Sequence, residues 1–284
     1  MTTIIILNGL SHAGLLFIMA SGLTLAFGLM RVVNLAHGAF YLWGGYIGIS
    51  VFRATGNWWL ALLAGGAAIA LLGFIKERIL LHWVRGKVLS ESLMAIGLAT
   101  ILADLALSIW GGSPLSIRVP AELNPRITLL GITYPGFRLL VILMSVVIGL
   151  GLWLLLAKTK LGALIRAGVD DRETTAALGI NIYVLFTLVF MLSAFLAGIA
   201  GVIGGTFLTI QPGADFQVLT LALVVIIIGG MGSLPGAAIG ALVTGLILSF
   251  GRAYVPELSF FLTFAPMAII LAIRPQGLFG RAFG

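Results

Sequence analysis

The sequence contains no cysteine. Disulfides, thiol nucleophiles and cysteine metal sites are therefore excluded, although a missing residue says nothing about compartment. Charge is scarce as well, at 9% Asp, Glu, Lys and Arg, with three histidines in 284 residues. A soluble globule of this length needs a polar exterior that such a composition cannot supply. Catalytic signatures are missing too: no Gly-rich loop ends in Gly-Lys-Ser/Thr, and neither His-Glu-x-x-His nor Gly-x-Ser-x-Gly occurs. The chain is thus expected to be no enzyme and to hold no cofactor. Any energy from ATP must arrive through another subunit.

What is present is apolar: 61% of residues, with mean hydropathy +1.19. Lipid is the solvent this composition suits, and a helix crossing the hydrocarbon needs about 20 mainly apolar residues. Apolar runs predict helices at about 8–30, 36–52, 58–75, 91–110, 137–157, 182–205, 216–231, 234–250 and 258–273. The expectation is an all-α, polytopic transmembrane bundle of nine spans, with eight as the alternative, in one transmembrane domain over 1–284. The Gly-rich run 36–52 and the short run 216–231, which ends in Gly229-Gly230-Met231-Gly232, are candidates for broken or re-entrant segments. The first run lacks a basic leader and is longer than a signal-peptide core, so it reads as an uncleaved span.

The net charge of +7 does not point to nucleic acid, because the basic residues are scattered singly or in small groups between apolar runs. With the amino terminus outside, cytoplasmic segments hold Arg31, Lys76, Arg78, Arg85, Lys87, Lys158, Lys160, Arg166, Arg172, Arg274 and Arg281, against Arg53, Arg118, Arg126, Arg138 and Arg252 opposite. That bias predicts amino terminus out and carboxyl terminus in. The outer connection 111–136, with Pro114, Pro120, Pro125 and Pro135, reads as irregular: a linker or part of a docking surface.

The 38 glycines are nearly twice the usual share of about 7%. Pairs such as Gly44/Gly48, Gly201/Gly205 and Gly236/Gly240 suit close helix approach in lipid. A weak parallel similarity relates Gly28–Gly48 to Gly230–Gly245.

Three polar features stand out. The turn Arg31-Val-Val-Asn34-Leu-Ala-His37-Gly38 reads either as an interfacial turn with Asn34 as a helix cap or as polar lining of a pathway. No ligand partner is spaced beside His37, which argues against a metal site. Asp104 falls inside a span, where pairing with Arg118, Arg126 or Arg138 is the structural explanation; His12 sits in the outer part of the first span. Finally, 158–180 is too polar to cross lipid and too apolar for a solvated loop. Asp170, Asp171 and Glu173 resemble the acidic first turn of a helix over 171–178 with Gly179 as its C-cap. Two short helices joined near Gly168 would offer an apolar stripe to a cytoplasmic partner, or lie on headgroups.

The stretches Gly22-Leu-Thr-Leu-Ala-Phe-Gly-Leu-Met, Val33-Asn-Leu-Ala-His-Gly-Ala-Phe-Tyr, Thr159 to Ile180 and Ile228-Gly-Gly-Met-Gly-Ser-Leu-Pro-Gly-Ala237 resemble a LivH-type permease of bacterial ABC importers for branched-chain amino acids. The resemblance implies a bacterial inner-membrane subunit working with a second, related permease, two cytoplasmic ATPases that bind ATP and Mg, and a periplasmic substrate-binding protein. It implies that 158–180 couples to the ATPase through Gly162, Arg166, Ala167, Ala177, Leu178 and Gly179. For the substrate pathway it suggests Asn34, His37, Gly38, Gly229, Gly230 and Gly232. Urea, amide and aromatic-acid importers use similar permeases, so the solute stays open, and a secondary transporter or channel remains the rival class.

Overall fold

A computed structural model describes residues 2–30, 32–84, 86–129 and 132–280. Arg31, Arg85 and Arg281, counted in the charge bias, lie outside the described residues. The long helices are α1 (Thr2–Met30), α2 (His37–Thr55), α3 (Trp58–Ile75), α4 (Val88–Trp110) and α5 (Gly136–Lys158). Two short helices, α6 (Lys160–Asp170) and α7 (Arg172–Ala177), precede α8 (Ile182–Phe207), α9 (Ala214–Gly229), α10 (Leu234–Tyr254) and α11 (Ser259–Ile273).

Among the described residues, seven segments are long and apolar enough to cross a membrane. The two doubtful runs form continuous helices: α2 with 19 residues and α9 with 16, about 28 and 24 Å at 1.5 Å per residue. Several starts are set by side-chain caps that satisfy otherwise orphaned amide groups. Asn57 accepts from the Leu60 amide at 3.0 Å, and Ser233 accepts from Gly236 at 3.1 Å.

At the centre lie α1, α2 and α8, with α3, α9 and α10 around them; α4, α5 and α11 are peripheral and expose most of their apolar surface. Glycine makes the central contacts possible. A Cβ on Gly44 would stand 2.5 Å from the Gly198 Cα, joining α2 to α8, and one on Gly229 would stand 2.1 Å from the Gly236 carbonyl oxygen, joining α9 to α10. In lipid, where apolar burial offers little drive for association, such close backbone approach is a main source of cohesion. The last turn of α1 also meets the turn after α9, Gly28 against Gly232.

The connection 111–135 is more ordered than its prolines suggest. Strands β1 (Arg126–Leu129) and β2 (Ile132–Pro135) pair antiparallel with Ile127 opposite Tyr134, and Leu115 bridges Ile210. The β-branched residues Ile127, Thr128, Ile132 and Thr133 favour the pleat, while the prolines lie at its ends or outside it. Tyr134 donates to the Asn8 side chain at 2.9 Å, tying the hairpin to α1.

Candidate coupling elbow and solute path

The elbow between α5 and α8 is built from three successive side-chain caps. Thr159 Oγ1 accepts from the Gly162 amide at 3.0 Å. Asp171 Oδ1 accepts from the amides of Glu173 and Thr174 at 3.0 and 3.1 Å, and its Oδ2 accepts from the Thr174 hydroxyl at 2.6 Å. Asn181 accepts from Tyr183 and Val184 at 3.1 and 3.2 Å. The Thr174 hydroxyl, followed by its amide, holds the Asp171 carboxyl below the usual range. Each cap starts a new helix direction, so the elbow has a defined shape rather than a loop's freedom.

The joint lies at Asp171, not near Gly168, because the Asp171 carboxylate supplies the second helix's missing partners. Gly168 is buried within α6, where a Cβ would meet Leu185 and Leu29 at 3.1 and 3.3 Å. The apolar stripe accordingly turns inward, with Ile165 buried and Leu161 and Leu164 half-buried. Outward stand Arg166 and Ala167 of α6, then Ala177, Leu178 and Gly179, with Leu178 76% exposed. Gly162 is different: it is buried, and a Cβ there would reach 2.3 Å from the Leu155 and Leu156 carbonyl oxygens, so it permits the tight α5–α6 corner. Gly179, at φ +83°, adopts the left-handed conformation that ends α7, and its amide donates to the Ala176 carbonyl at 2.9 Å. Replacing Asp171 with alanine while keeping Thr174 is expected to fray α7. Hydrogen exchange at residues 173–178 should accelerate severalfold while exchange in α8 is unchanged; equal exchange in α7 would remove the cap's importance.

The turn after α1 forms a second polar cluster. His37 Nε2 lies 3.1 Å from the Met19 carbonyl, which requires a proton on that nitrogen. Asn34 Oδ1 accepts from the Ala36 amide at 3.2 Å and from Lys76 Nζ. It therefore organises the turn and makes no side-chain cap on α2. Sequence reading treated Lys76 as a loop charge, yet it is 1% exposed, inside a five-residue π-turn after α3. Its ammonium lies 5.1 Å from the Phe190 ring centroid and 5.6 Å from that of Phe40, within cation–π range. Glu91, buried at the start of α4, borders the same small cavity as Asn34 and Lys76 and accepts from the Gly86 amide at 2.7 Å. The sequence signal for this cluster was three charged residues, Lys76, Glu77 and Glu91, at the edges of apolar runs.

The glycines of the pathway set sit at close backbone contacts. A Cβ on Gly38 would lie 2.2 Å from the Asp215 carbonyl oxygen, and Gly230, at φ +100°, abuts Gly280. Gly229 faces Gly236 and Gly232 faces Gly28. Chain segment 278–279 closes the end of α9: Leu278 and Phe279 donate to the Ile228 and Gly229 carbonyls at 3.0 and 2.9 Å. His12, in α1, lies against Phe207 with centroids 4.9 Å apart, and Arg252 approaches it at 3.3 Å. Asp104 pairs with none of the three arginines expected. Arg138 instead donates to Asn8 and covers the Phe207 ring, and the Asp104 carboxylate has no partner among the described residues.

Comparison with known proteins extends the geometry. The chain is 28% identical to the high-affinity branched-chain amino acid transport system permease protein BraD of Pseudomonas aeruginosa, covering 97% of this chain and 95% of the relative. It is also 28% identical to LivH of Escherichia coli K12, over 96% and 94% of the two chains. The ribose import permease protein RbsC of E. coli K12 matches at 29% identity over 84% of this chain and 75% of the relative. A solved structure, PsaBC from Streptococcus pneumoniae in complex with Fab, superposes with TM-score 0.52 and 14% identity over 94% of this chain and 89% of that one, a likeness of fold alone. Residues 5–271 match the family described as the permease component of branched-chain amino acid transport systems, and this multi-pass membrane protein belongs to it.

Proposed function

We propose that this chain is the membrane-spanning permease subunit of an ABC importer for branched-chain amino acids, placed in the bacterial inner membrane with its amino terminus outside. The observation that carries the coupling role is the elbow. Three polar caps hold a short exposed face, Arg166, Ala167, Ala177, Leu178 and Gly179, clear of the bundle. An exposed leucine and an exposed cation on a capped corner suit a protein partner better than water, and the basic bias supports a cytoplasmic position for that corner. One of two ATP-binding subunits, which would supply the ATP and Mg chemistry, would dock there. A second permease subunit would complete the membrane unit, and a periplasmic binding protein would deliver the solute.

ATP bound by the partners would favour one packing of the bundle and hydrolysis would release it, so that a weak solute site opens to each side in turn. The rigid corner transmits that difference because its helices α6 and α7 are short, capped units. The inner-turn residues Asn34, His37 and Gly38 and the α9 exit residues Gly229, Gly230 and Gly232 belong to the packing that would change. In the reconstituted importer, Arg166→Glu is expected to lower solute-stimulated ATPase activity at least about tenfold with membrane insertion unchanged. Deletion of 171–178 should abolish it. Unchanged stimulation in both would remove the coupling assignment. Ligand binding by the partner binding protein, compared across branched-chain amino acids, amides and small aromatic acids, tests the solute.

A further inference from the structure

The face that α4 turns toward its own bundle is set by Glu91, Ala95, Leu102 and Ala106, all buried. Its rotation is pinned: Trp43 donates to the Leu102 carbonyl at 2.7 Å, and Trp110 stacks on Tyr46 with centroids 4.9 Å apart. Two helical residues turn about 200°, so Asp104, two positions from both Leu102 and Ala106, points away from the bundle and is exposed. Gly97, Thr100 and Ser108 share that outward face at three- and four-residue spacing and are exposed as well. A Cβ on Gly97 would meet nothing within 4 Å. The Thr100 and Ser108 hydroxyls donate to the Ile96 and Asp104 carbonyls, which leaves the Asp104 carboxylate as the group on this face without a partner among the described residues.

Depth makes this exposure informative. The 23 residues of α4 span about 34 Å against about 30 Å of hydrocarbon, and Asp104, six residues before Trp110, lies about 9 Å from that helix end. A side chain this short cannot reach the headgroups from there, and a carboxylate facing lipid is strongly disfavoured. Two cavities among the described residues suit a polar solute poorly. The one beside Asn34 holds about 10 Å³, at or below the room for one water. The larger groove between α10 and α11, about 370 Å³, is bordered by apolar side chains such as Ile247, Phe250, Leu262 and Ile269.

The geometry points to the outward face of α4 as one wall of the solute route, with Asp104 as the counter-charge for the solute's ammonium and a second permease subunit as the opposite wall. This rests on the amino-acid importer reading above. A hydrated route satisfies the carboxylate between passages, whereas a dry helix contact would strip its water with no cation supplied by the described residues. Small residues at Gly97, Thr100 and Ser108 leave space for a zwitterion beside the helix.

The absence of cysteine makes the test direct. Single cysteines at Thr100, Ser108 and, as an off-face control, Leu105 are introduced into the complete importer, and their reaction with membrane-impermeant cationic and anionic thiosulfonates is timed. Thr100→Cys and Ser108→Cys should react at least about tenfold faster than Leu105→Cys and should favour the cationic reagent by about tenfold. Asp104→Asn in the same backgrounds should abolish that preference. Asp104→Asn should also lower the maximal uptake rate about tenfold, and Asp104→Glu should restore most of it. Slow reaction at all three positions, or full uptake by Asp104→Asn, would overturn the proposal. Labelling needs no knowledge of the solute, so fast, cation-selective labelling in an importer that transports no amino acid would reject the amino-acid reading while retaining the hydrated wall.

Discussion

Gly201→Ala is expected to leave little correctly packed protein. Its new Cβ would sit 2.0 Å from the Tyr41 carbonyl oxygen and 2.7 Å from the Gly45 amide nitrogen, both main-chain atoms of α2. A flexible side chain could swing aside; a helix backbone cannot, and α2 is already held between α3, α8 and α9. Overpacking by one methyl typically costs about 1–3 kcal/mol, and this site belongs at the upper end because separation of α2 from α8 also loosens Gly44 from Gly198. A loss of about 3 kcal/mol corresponds to about 6–12 °C in unfolding midpoint for a domain of this size. Gly151→Ala is the matched control: it lies on peripheral α5 with nothing within 4 Å of its Cβ. Thermal unfolding in detergent, followed by size-exclusion recovery, should show a large loss for the first and almost none for the second. Equal recovery would mean that the α2–α8 contact can spread without consequence.

Lys76→Met should be at least as damaging, for an electrostatic reason. The ammonium is enclosed by Asn34, the rings of Phe40 and Phe190, and the cavity it shares with Glu91. Methionine roughly retains the volume and removes the charge. Removing one member of a buried charged set typically costs about 3–5 kcal/mol, because what remains is a buried group without compensation. The Lys76→Met/Glu91→Gln double variant should recover part of the loss, since it neutralises one of the two buried carboxylates, Glu77 and Glu91, left behind. The interaction energy from the cycle is expected to be at least about 1 kcal/mol. Strict additivity of the two single losses would show that Lys76 and Glu91 do not sense one another, and that the lysine matters through Glu77, Asn34 and the two rings.

Local signals in the sequence served the architecture well because lipid imposes them locally. A segment in hydrocarbon must satisfy its own backbone, so each long apolar run becomes a helix whatever its neighbours do. That is why α3, α5 and α8 start and stop within a few residues of their apolar limits, and why even the Gly-rich run became the continuous helix α2. The elbow was legible for a similar reason: Asp171 and Gly179 are a helix start and stop whose hydrogen bonds involve only their immediate neighbours. Hairpin 126–135 was obscured because its prolines dominated the reading of 111–136, although they fall outside the paired interior.

Rotation and pairing were another matter. On a membrane helix both faces are apolar, so periodicity that separates core from solvent in a soluble protein carries little information about which side meets protein and which meets lipid. The sequence alone therefore determined a bundle of apolar helices, a polar, capped elbow after α5 and a carboxylate at Asp104 within an apolar span. Only the tertiary structure decided that Asp104 points outward, that Lys76 closes on Asn34 and that Gly162 and Gly168 face the bundle. Those facts depend on which helix lies beside which, and atoms far apart in the chain, such as Tyr41 beside Gly201, set that arrangement through contacts no local pattern encodes.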